Sequence, residues 1–147
     1  VTDLDEEQLE KARLLSGVTV VSPKDILTMQ CDIFAPCALG GTLNAKTIPR
    51  LNCTIVCGGA NNQLAEEADA SRLSEKDILY APDFVANAGG IINLSKEMGQ
   101  TYNPSAAMDH AAKIFETTTQ IIDQSRTDGI TTTEAANNIA EARLAAF

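Results

Sequence analysis

The sequence predicts an α/β fold, in which an incomplete, doubly wound parallel sheet is followed by C-terminal helices. Short apolar runs alternate with helix-like stretches over residues 1–95 of the 147-residue chain. The runs do not alternate with polar residues, as expected of strands that helices cover on both faces. From residue 96 the pattern is helical throughout. We therefore expect an incomplete sheet domain over residues 1–95 and a helical segment over 96–147 that packs back on it.

Four runs are predicted to be strands, because each is apolar and rich in β-branched or aromatic residues. They are "VTVV" at 18–21, "DIFAP" at 32–36, "CTIVCGG" at 53–59 and "ILYAPDF" at 78–84. The opening residues "VTDL" are interpreted as the end of a further strand.

Helix start and stop signals lie between these runs. Asp5 is a candidate N-cap with Gln8 three residues later, and Gly17 is a candidate stop. Ser22 and Pro23 predict the start of a second helix over "SPKDILTM". A short helical piece is expected around "AKTIPRL", and a helix that begins near "ANNQL" and loosens before the last run.

Two further helices are predicted in the C-terminal segment. One face of a long helix that ends near Gly129 would carry Ala111, Ile114, Phe115, Thr118, Ile121, Ile122 and Ser125. Thr131 and Glu134 are spaced as a capping box for the last helix. Its apolar stripe would hold Ala136, Ala140, Leu144 and Phe147, with Phe147 ending the chain in mid-helix.

Composition and charge exclude several classes of function. Twenty acidic against eleven basic residues give a formal charge of −9, which would repel a nucleic-acid backbone. No apolar run approaches the length of a membrane span, and no signal-peptide pattern opens the chain. We therefore expect a cytoplasmic protein that binds neither nucleic acid nor a membrane.

The four cysteines lack the closely spaced pairs of a zinc site. Cys31 and Cys37 are too far apart for such a pair, while Cys53 and Cys57 bracket an apolar run. We expect buried, free thiols in a reducing compartment and no metal site.

Three loops rich in small and amide residues follow three of the predicted strands: "APCALGG", "GGANNQL" and "APDFVANAGGIIN". Ligands of parallel sheets bind at the carboxyl ends of the strands, where small residues let the backbone approach them. Each loop also has a purely structural explanation, since Gly58 and Gly59 could turn the chain and Asn61 or Asn87 could cap a helix. The three together favour a binding site. His110, the only histidine, is interpreted as a boundary residue of the long helix.

Asp3 lies where a dinucleotide-binding sheet carries its ribose-binding acid. In such folds an acidic residue at the end of the second strand follows a glycine-rich phosphate loop by about 20 residues. No G-x-G-x-x-G pattern is present in this chain. Asp3 is therefore a candidate for this acid in a partial, Rossmann-like sheet without the phosphate loop. The alternative is an acid that only stabilises a helix N-terminus.

Three runs in combination carry a family resemblance: "CDIFAPCALGGTLNAKTIP", "ANNQL" and "YAPDFVANAGGIINLSKE". In this order and at these separations they resemble the NAD-binding domain of the glutamate/leucine/phenylalanine/valine dehydrogenase family. The resemblance covers nearly the whole chain, from "VTDL" to "TTEAANNIAEARL".

The resemblance implies oxidative deamination of a branched-chain L-amino acid to its 2-oxo acid, with reduction of NAD, in a homo-oligomer. It also implies roles for residues that match the family's motifs. The cofactor-binding residues would be Asp3, Cys37, Ala38, Leu39, Asn61 and Asn87, and the substrate-binding residues Asn62, Ile91 and Leu94. Asp3 would hold the adenosine ribose and disfavour the 2′-phosphate of NADP. Ile91 and Leu94 are apolar and would suit an aliphatic side chain.

The family also carries a substrate domain with a catalytic lysine and aspartate, then a phosphate loop, upstream of these motifs. No lysine of this chain falls in a matching motif, so we expect no catalytic residue here, no turnover by this chain alone and weak binding of NAD. Three hypotheses stay open. The chain is part of a longer amino-acid dehydrogenase, or a non-catalytic remnant with a binding or assembly role, or a different ligand-binding module with similar loops.

Overall fold

The structure is a computed structural model that describes residues 1–98 and 102–146. It confirms the α/β class, with a parallel sheet followed by C-terminal helices. The sheet has three strands in the order β1 (Ile33–Phe34), β2 (Ile55–Val56) and β3 (Leu79–Tyr80). Ile55 pairs with Ile33 on one side and with Leu79 on the other. Three of the four predicted apolar runs therefore form the sheet, although each strand is shorter than its run.

The run "VTVV" was predicted to be a strand, and this prediction is wrong for the described structure. Residues 18–21 are assigned to no strand, and two hydrogen bonds join them to Val1. The Val1 amino group donates to Thr19 O at 2.6 Å, and Val21 N donates to Val1 O at 2.9 Å. This is the hydrogen-bond pattern of a parallel pair, but it extends over a single residue and does not propagate into a ladder.

The first helix, α1 (Glu6–Arg13), begins at the predicted N-cap, since Asp5 Oδ1 accepts from Glu7 N at 2.9 Å. The helix predicted over "SPKDILTM" is wrong: a turn leads into a 3-10 helix, Ile26–Thr28. The Ser22 hydroxyl donates to Asp25 Oδ2 at 2.7 Å, and Met29 is extended, which ends the segment. The short helical piece around "AKTIPRL" is present as a 3-10 helix, Ile48–Arg50.

The helix expected to begin near "ANNQL" instead begins at the far end of that stretch, as α2 (Ala68–Glu75). Asn62 has a positive φ of 51°, which interrupts a right-handed helix. Asp69 is fully buried and anchors the start of α2, since its carboxylate accepts from Glu66 N at 3.0 Å and from Arg72 at 2.6 Å.

Five helices follow β3 in the described residues. They are α3 (Asp83–Ala86), α4 (Gly89–Glu97), α5 (Pro104–Ala112), α6 (Ile114–Asp128) and α7 (Thr132–Ala145). The predicted long helix is thus divided into α5 and α6 at Lys113. The Lys113 N–H bonds to carbonyls in the last turn of α5, and the same residue is the N-cap of α6. Its predicted end is correct, because Gly129 adopts a left-handed conformation with φ 67° after α6.

The predicted apolar faces of α6 and α7 are only partly correct. Ile121 is buried, but Phe115 is 78% exposed. In α7 the buried residues are Thr132, Ala135, Ala136 and Ile139, whereas Ala140 and Leu144 are exposed. Ala135, Ala136 and Ile139 pack with Ile121 of α6, whereas Thr132 bonds to β3, so the buried stripe is offset from the predicted one. Phe147 lies outside the described residues.

Two apolar clusters stabilise the described structure. The first surrounds the sheet and comprises Leu43, Ile48, Leu51, Val56, Leu73, Ile78 and Tyr80. The second joins α6 and α7 through Ile121, Ala135, Ala136 and Ile139. A buried hydrogen bond of 2.7 Å from Thr132 Oγ1 to Tyr80 O ties the start of α7 to β3. The division into residues 1–95 and 96–147 stays a prediction.

The thiols are less buried than predicted. Cys37 and Cys57 are exposed, and Cys31 and Cys53 are half-buried. Cys57 follows directly on β2, where the chain leaves the sheet for a loop. No helix among residues 1–98 and 102–146 is long and apolar enough to cross a membrane.

Candidate functional site

Three loops meet at the carboxyl ends of the three strands. They span residues 35–44 after β1, 57–64 after β2 and 81–89 around α3 after β3. Ala60 N donates to Pro36 O at 3.0 Å, and Gly41 N donates to Asn62 O at 2.7 Å, which joins the first loop to the second. Gln63 N donates to Asp83 Oδ2 at 3.2 Å, which joins the second loop to the third. We call these three segments the loop cluster.

Two glycines allow the first and second loops to approach so closely. A Cβ atom on Gly58 would lie 2.2 Å from Pro36 O, and one on Gly40 would lie 2.8 Å from Asn61 O. Both distances are shorter than any tolerated contact, and the obstructing atoms belong to the backbone. Glycine is therefore required at both positions if the loops are to meet.

Asn61 and Asn87 form the polar centre of the loop cluster. Asn87 Nδ2 donates to Asn61 Oδ1 at 2.6 Å and lies 3.5 Å from Ala60 O. The Asn61 side chain is exposed and that of Asn87 is half-buried. This hydrogen bond uses one N–H of Asn87 and fixes the orientation of both amides. Because Asn61 Oδ1 accepts from Asn87, the Nδ2 atom of Asn61 points away from Asn87.

Asn62 differs from its neighbour in its backbone conformation. Its backbone is in the left-handed region, which asparagine tolerates better than most residues, and its carbonyl is bonded to Gly41 N. The residue is exposed.

Cys37, Ala38 and Leu39 form the exposed rim of the first loop. Cys37 Sγ accepts a hydrogen bond from Gly59 N at 3.3 Å, so this thiol also links the first and second loops. Leu39 is 75% exposed, which leaves an apolar side chain and adjacent backbone open on this edge of the sheet.

Gln63 holds the loop cluster together and was not singled out from the sequence. Its side chain is fully buried, and its Nε2 donates to Gly58 O at 2.8 Å and to Ala60 O at 3.0 Å. Among the described residues its Oε1 is buried without a hydrogen-bond partner. The sequence feature that could have indicated this role is the position of Gln63 directly after two asparagines in a glycine-rich loop. A buried side-chain amide at such a position can donate to the carbonyls of the turn.

Asp83 and Tyr80 support the third loop from below and were also missed. Asp83 N donates to Tyr80 Oη at 3.2 Å, while the Asp83 carboxylate accepts from Gln63 N. Burial, and secondly the neighbouring Asp83 carboxylate, raise the pKa of Tyr80 well above its ordinary range. The phenol therefore remains neutral and serves as a fixed acceptor at the start of α3.

Ile91 and Leu94 lie three residues apart on α4, which follows the third loop. Residues at this spacing share one face of a helix. Ile91 is 66% exposed and Leu94 51% exposed, so the two side chains form an open apolar surface beside the loop cluster. The structure does not enclose them in a pocket among the described residues.

Asp3 is the one predicted site residue that the structure does not join to the loop cluster. Its carboxylate is exposed, and its described hydrogen bonds are local, from Leu4 N at 2.7 Å and Asp5 N at 3.0 Å. The carboxylate therefore faces solvent at the start of α1. The individual roles of all nine predicted site residues stay predictions.

A parallel sheet whose carboxyl-end loops are locked together and present exposed amides defines an α/β ligand-binding domain. The chain belongs to the Glutamate/Leucine/Phenylalanine/Valine dehydrogenase family, whose model matches residues 2–147. The resemblance inferred from the three runs is therefore confirmed.

Curated relatives of this chain are amino-acid dehydrogenases. Leucine dehydrogenase from Bacillus cereus is 42% identical over 147 residues, which are 100% of this chain and 40% of that protein. L-tryptophan dehydrogenase from Nostoc punctiforme is 45% identical over 145 residues, 98% of this chain and 41% of that protein. The chain thus spans about 40% of the length of the curated relatives it matches.

Solved structures agree with this assignment. The crystal structure of the Nostoc punctiforme L-tryptophan dehydrogenase matches with a TM-score of 0.93 and 45% identity, over 97% of this chain and 44% of that one. A hetero-hexameric glutamate dehydrogenase from Thermus thermophilus matches with a TM-score of 0.67 and 18% identity, over 95% and 34% of the two chains. At that identity the second likeness shows the fold alone.

Proposed function

We propose that this chain is the NAD-binding portion of a leucine dehydrogenase-like enzyme, which oxidatively deaminates a branched-chain L-amino acid to the 2-oxo acid. The observation that carries the proposal is the loop cluster. Its hydrogen bonds bring Asn61, Asn62 and Asn87 to one edge of the sheet, where ligands of such sheets bind.

The residues at this edge fit a nicotinamide dinucleotide. Cys37, Ala38 and Leu39 leave backbone and apolar surface exposed beside the Asn61 amide, and Asn87 supplies a second amide. Amide donors and acceptors suit the ribose hydroxyls and the carboxamide of the cofactor. The exposed carboxylate of Asp3 would accept from the adenosine ribose and would repel the 2′-phosphate of NADP. NAD, when bound, supplies the acceptor for the hydride.

The substrate would lie between the amides and α4. Asn62 is exposed at the edge of the loop cluster and can hydrogen-bond the polar end of an amino acid. Ile91 and Leu94 offer a branched apolar surface that suits an aliphatic side chain. A difference of one methylene between two substrates changes the free energy that discriminates them by only about 1 to 3 kcal/mol. We therefore propose the class of branched-chain substrates and no single member.

The reaction also requires a base that accepts the proton of the amino group as hydride leaves. We place this base in the remainder of the parent protein, because no lysine of this chain falls in the family's catalytic motif. The greater length of the relatives is consistent with this assignment. On this proposal residues 1–147 orient the cofactor and the substrate, and turnover and assembly as a homo-oligomer belong to the whole protein.

The test is a substrate and cofactor panel with the full-length protein. We expect NADH formation with leucine, valine and isoleucine at a kcat/KM at least tenfold above that for tryptophan and glutamate, and a strong preference for NAD over NADP. Faster oxidation of tryptophan would contradict the branched-chain assignment. No reduction of either cofactor with any amino acid would support a non-catalytic binding or assembly module instead.

A further inference from the structure

The end of the sheet opposite the loop cluster carries a pair of cysteines. Ile33 pairs with Ile55, and Gln30 forms a parallel bridge with Asn52. The two pairs have the same offset along the sequence, which places Cys31 opposite Cys53. Two backbone bonds maintain this register, from Cys31 N to Asn52 O at 3.1 Å and from Thr54 N to Asp32 O at 3.2 Å.

This register satisfies the geometric requirement for a bridge between the two sulfur atoms. Neighbouring strands lie about 4.7 to 4.9 Å apart, and directly opposed residues extend to the same face of a sheet. Disulfides usually join residues whose Cα atoms are about 4.4 to 6.8 Å apart. Cys31 and Cys53 lie between the paired residues Gln30–Asn52 and Ile33–Ile55, and these pairings favour a Cα separation within that range.

Both thiols are accessible to small molecules. Cys31 and Cys53 are half-buried, and they line a surface cavity of about 420 Å³. The remaining lining residues are polar: Gln30, Asp32, Asn52 and Thr54. The cavity lies at the amino ends of β1 and β2, so it is separate from the loop cluster.

We propose that Cys31 and Cys53 are a redox-active thiol pair, which closes to a reversible disulfide by exchange with a low-molecular-weight disulfide admitted to this cavity. The reaction is balanced by that oxidant. The two protein thiols lose two hydrogens in forming one sulfur–sulfur bond, and the small disulfide is reduced to two thiols.

The exchange proceeds in two steps. One cysteine of the pair, as its thiolate, attacks the small disulfide, displaces one thiol and forms a mixed disulfide. The other cysteine then loses its proton to water, attacks the sulfur of the first and displaces the second thiol. Burial, and secondly the neighbouring Cys31, raise the pKa of the Cys53 thiol.

The test is thiol mapping of the full-length protein equilibrated in glutathione buffers from fully reduced to fully oxidised. Remaining thiols are blocked with N-ethylmaleimide, and fragmentation of non-reduced peptides assigns each cysteine. We expect loss of both alkylatable thiols at Cys31 and Cys53 together, a direct bridge between them, and full recovery after reduction. The Cys37→Ser/Cys57→Ser double variant should form the same bridge, whereas Cys31→Ser and Cys53→Ser should not.

Three results would overturn the proposal. They are complete alkylation of Cys31 and Cys53 in every buffer, accumulation of glutathione on Cys31 without closure, and a bridge that contains Cys37 or Cys57. All three results are measured on the wild-type protein, so the proposal can be tested even if a variant fails to fold.

Discussion

The amide of Asn87 donates a 2.6 Å hydrogen bond to the amide oxygen of Asn61 and so joins the loops that follow β3 and β2. This bond spans two segments 26 residues apart in sequence. It orients two exposed or half-exposed amides at the edge of the sheet where the cofactor and the substrate are proposed to bind. Four consequences of this arrangement can be measured.

Replacing Asn87 with aspartate should impair the proposed reaction more than it impairs folding. Aspartate has nearly the same shape, but its carboxylate cannot donate to Asn61 Oδ1, so two acceptors would face each other. We expect kcat/KM to fall by about tenfold to a hundredfold, because a half-buried amide donor is replaced by a carboxylate that only accepts. Asn138→Asp, on the exposed side of α7, is the matched control and should retain full activity. If both variants have the same activity, Asn87 does not take part in binding the cofactor or the substrate.

Gly58→Ala should destabilise the loop cluster, because the added Cβ would lie 2.2 Å from Pro36 O. We expect the free energy of unfolding to fall by about 1 to 3 kcal/mol or more, as in other overpacked sites. Urea denaturation measures this directly. Gly59→Ala is the neighbouring control: its Cβ would meet Cys37 Sγ at 3.8 Å, an ordinary contact. A Gly58→Ala variant as stable as Gly59→Ala would show that the two loops do not meet as described.

Thr132→Val should loosen the attachment of α7 to the sheet. The substitution retains the shape of the side chain but removes the 2.7 Å bond to Tyr80 O and leaves a buried carbonyl unpaired. The expected loss of stability is about 1 to 3 kcal/mol. Thr119→Val removes a hydroxyl that bonds within α6 on an exposed surface, and it should cost far less. Similar losses from both variants would mean that the buried bond is not formed.

Tyr80 should make the protein sensitive to alkaline pH. Its pKa is raised in the folded state above the value of about 10 expected for an unfolded chain, so the unfolded state loses its proton first. Stability is therefore fully present below about pH 10 and falls as the pH rises toward the folded pKa. Tyr80→Phe should flatten this alkaline slope, although the loss of the acceptor for Asp83 N lowers stability at neutral pH.

The control for this prediction is Tyr102→Phe. Tyr102 is exposed, and its hydroxyl donates to Asn93 at 2.7 Å on the surface. Its replacement removes a phenol hydrogen bond from the surface and should cost little stability at neutral pH, so it measures the effect of losing a tyrosine hydroxyl outside the core. If Tyr80→Phe shows the same alkaline slope as the wild type, the buried phenol does not contribute to it.

The sequence predicted the sheet and the loops at its carboxyl ends because both depend on local signals. Continuous apolar runs marked β1, β2 and β3, and glycine- and asparagine-rich segments marked the loops after them. The run "VTVV" was equally apolar but forms no strand, because the bonds that join it to Val1 do not continue into a ladder. The start of α2 was misplaced because the left-handed turn at Asn62 depends on contacts with Gly41 from another loop.

Long-range contacts also explain the residues that sequence reasoning missed. Gln63 and Asp83 are each unremarkable in a local window, and their importance follows from a hydrogen bond between segments that only the fold brings together. The exposed position of Phe115 likewise depends on how α6 rotates against α7, which the apolar pattern of α6 alone does not determine.

Hydrogen exchange of the full-length protein with and without NAD tests the central claim most directly, that the loop cluster holds the cofactor. The account predicts increased protection of backbone amides in residues 35–44, 57–64 and 81–89 when NAD is bound, with a further increase in the last two segments when 2-oxo acid is added. The cavity beside Cys31 and Cys53, at the other end of the sheet, should be unaffected. Binding of NAD with unchanged exchange in all three loops would contradict the account.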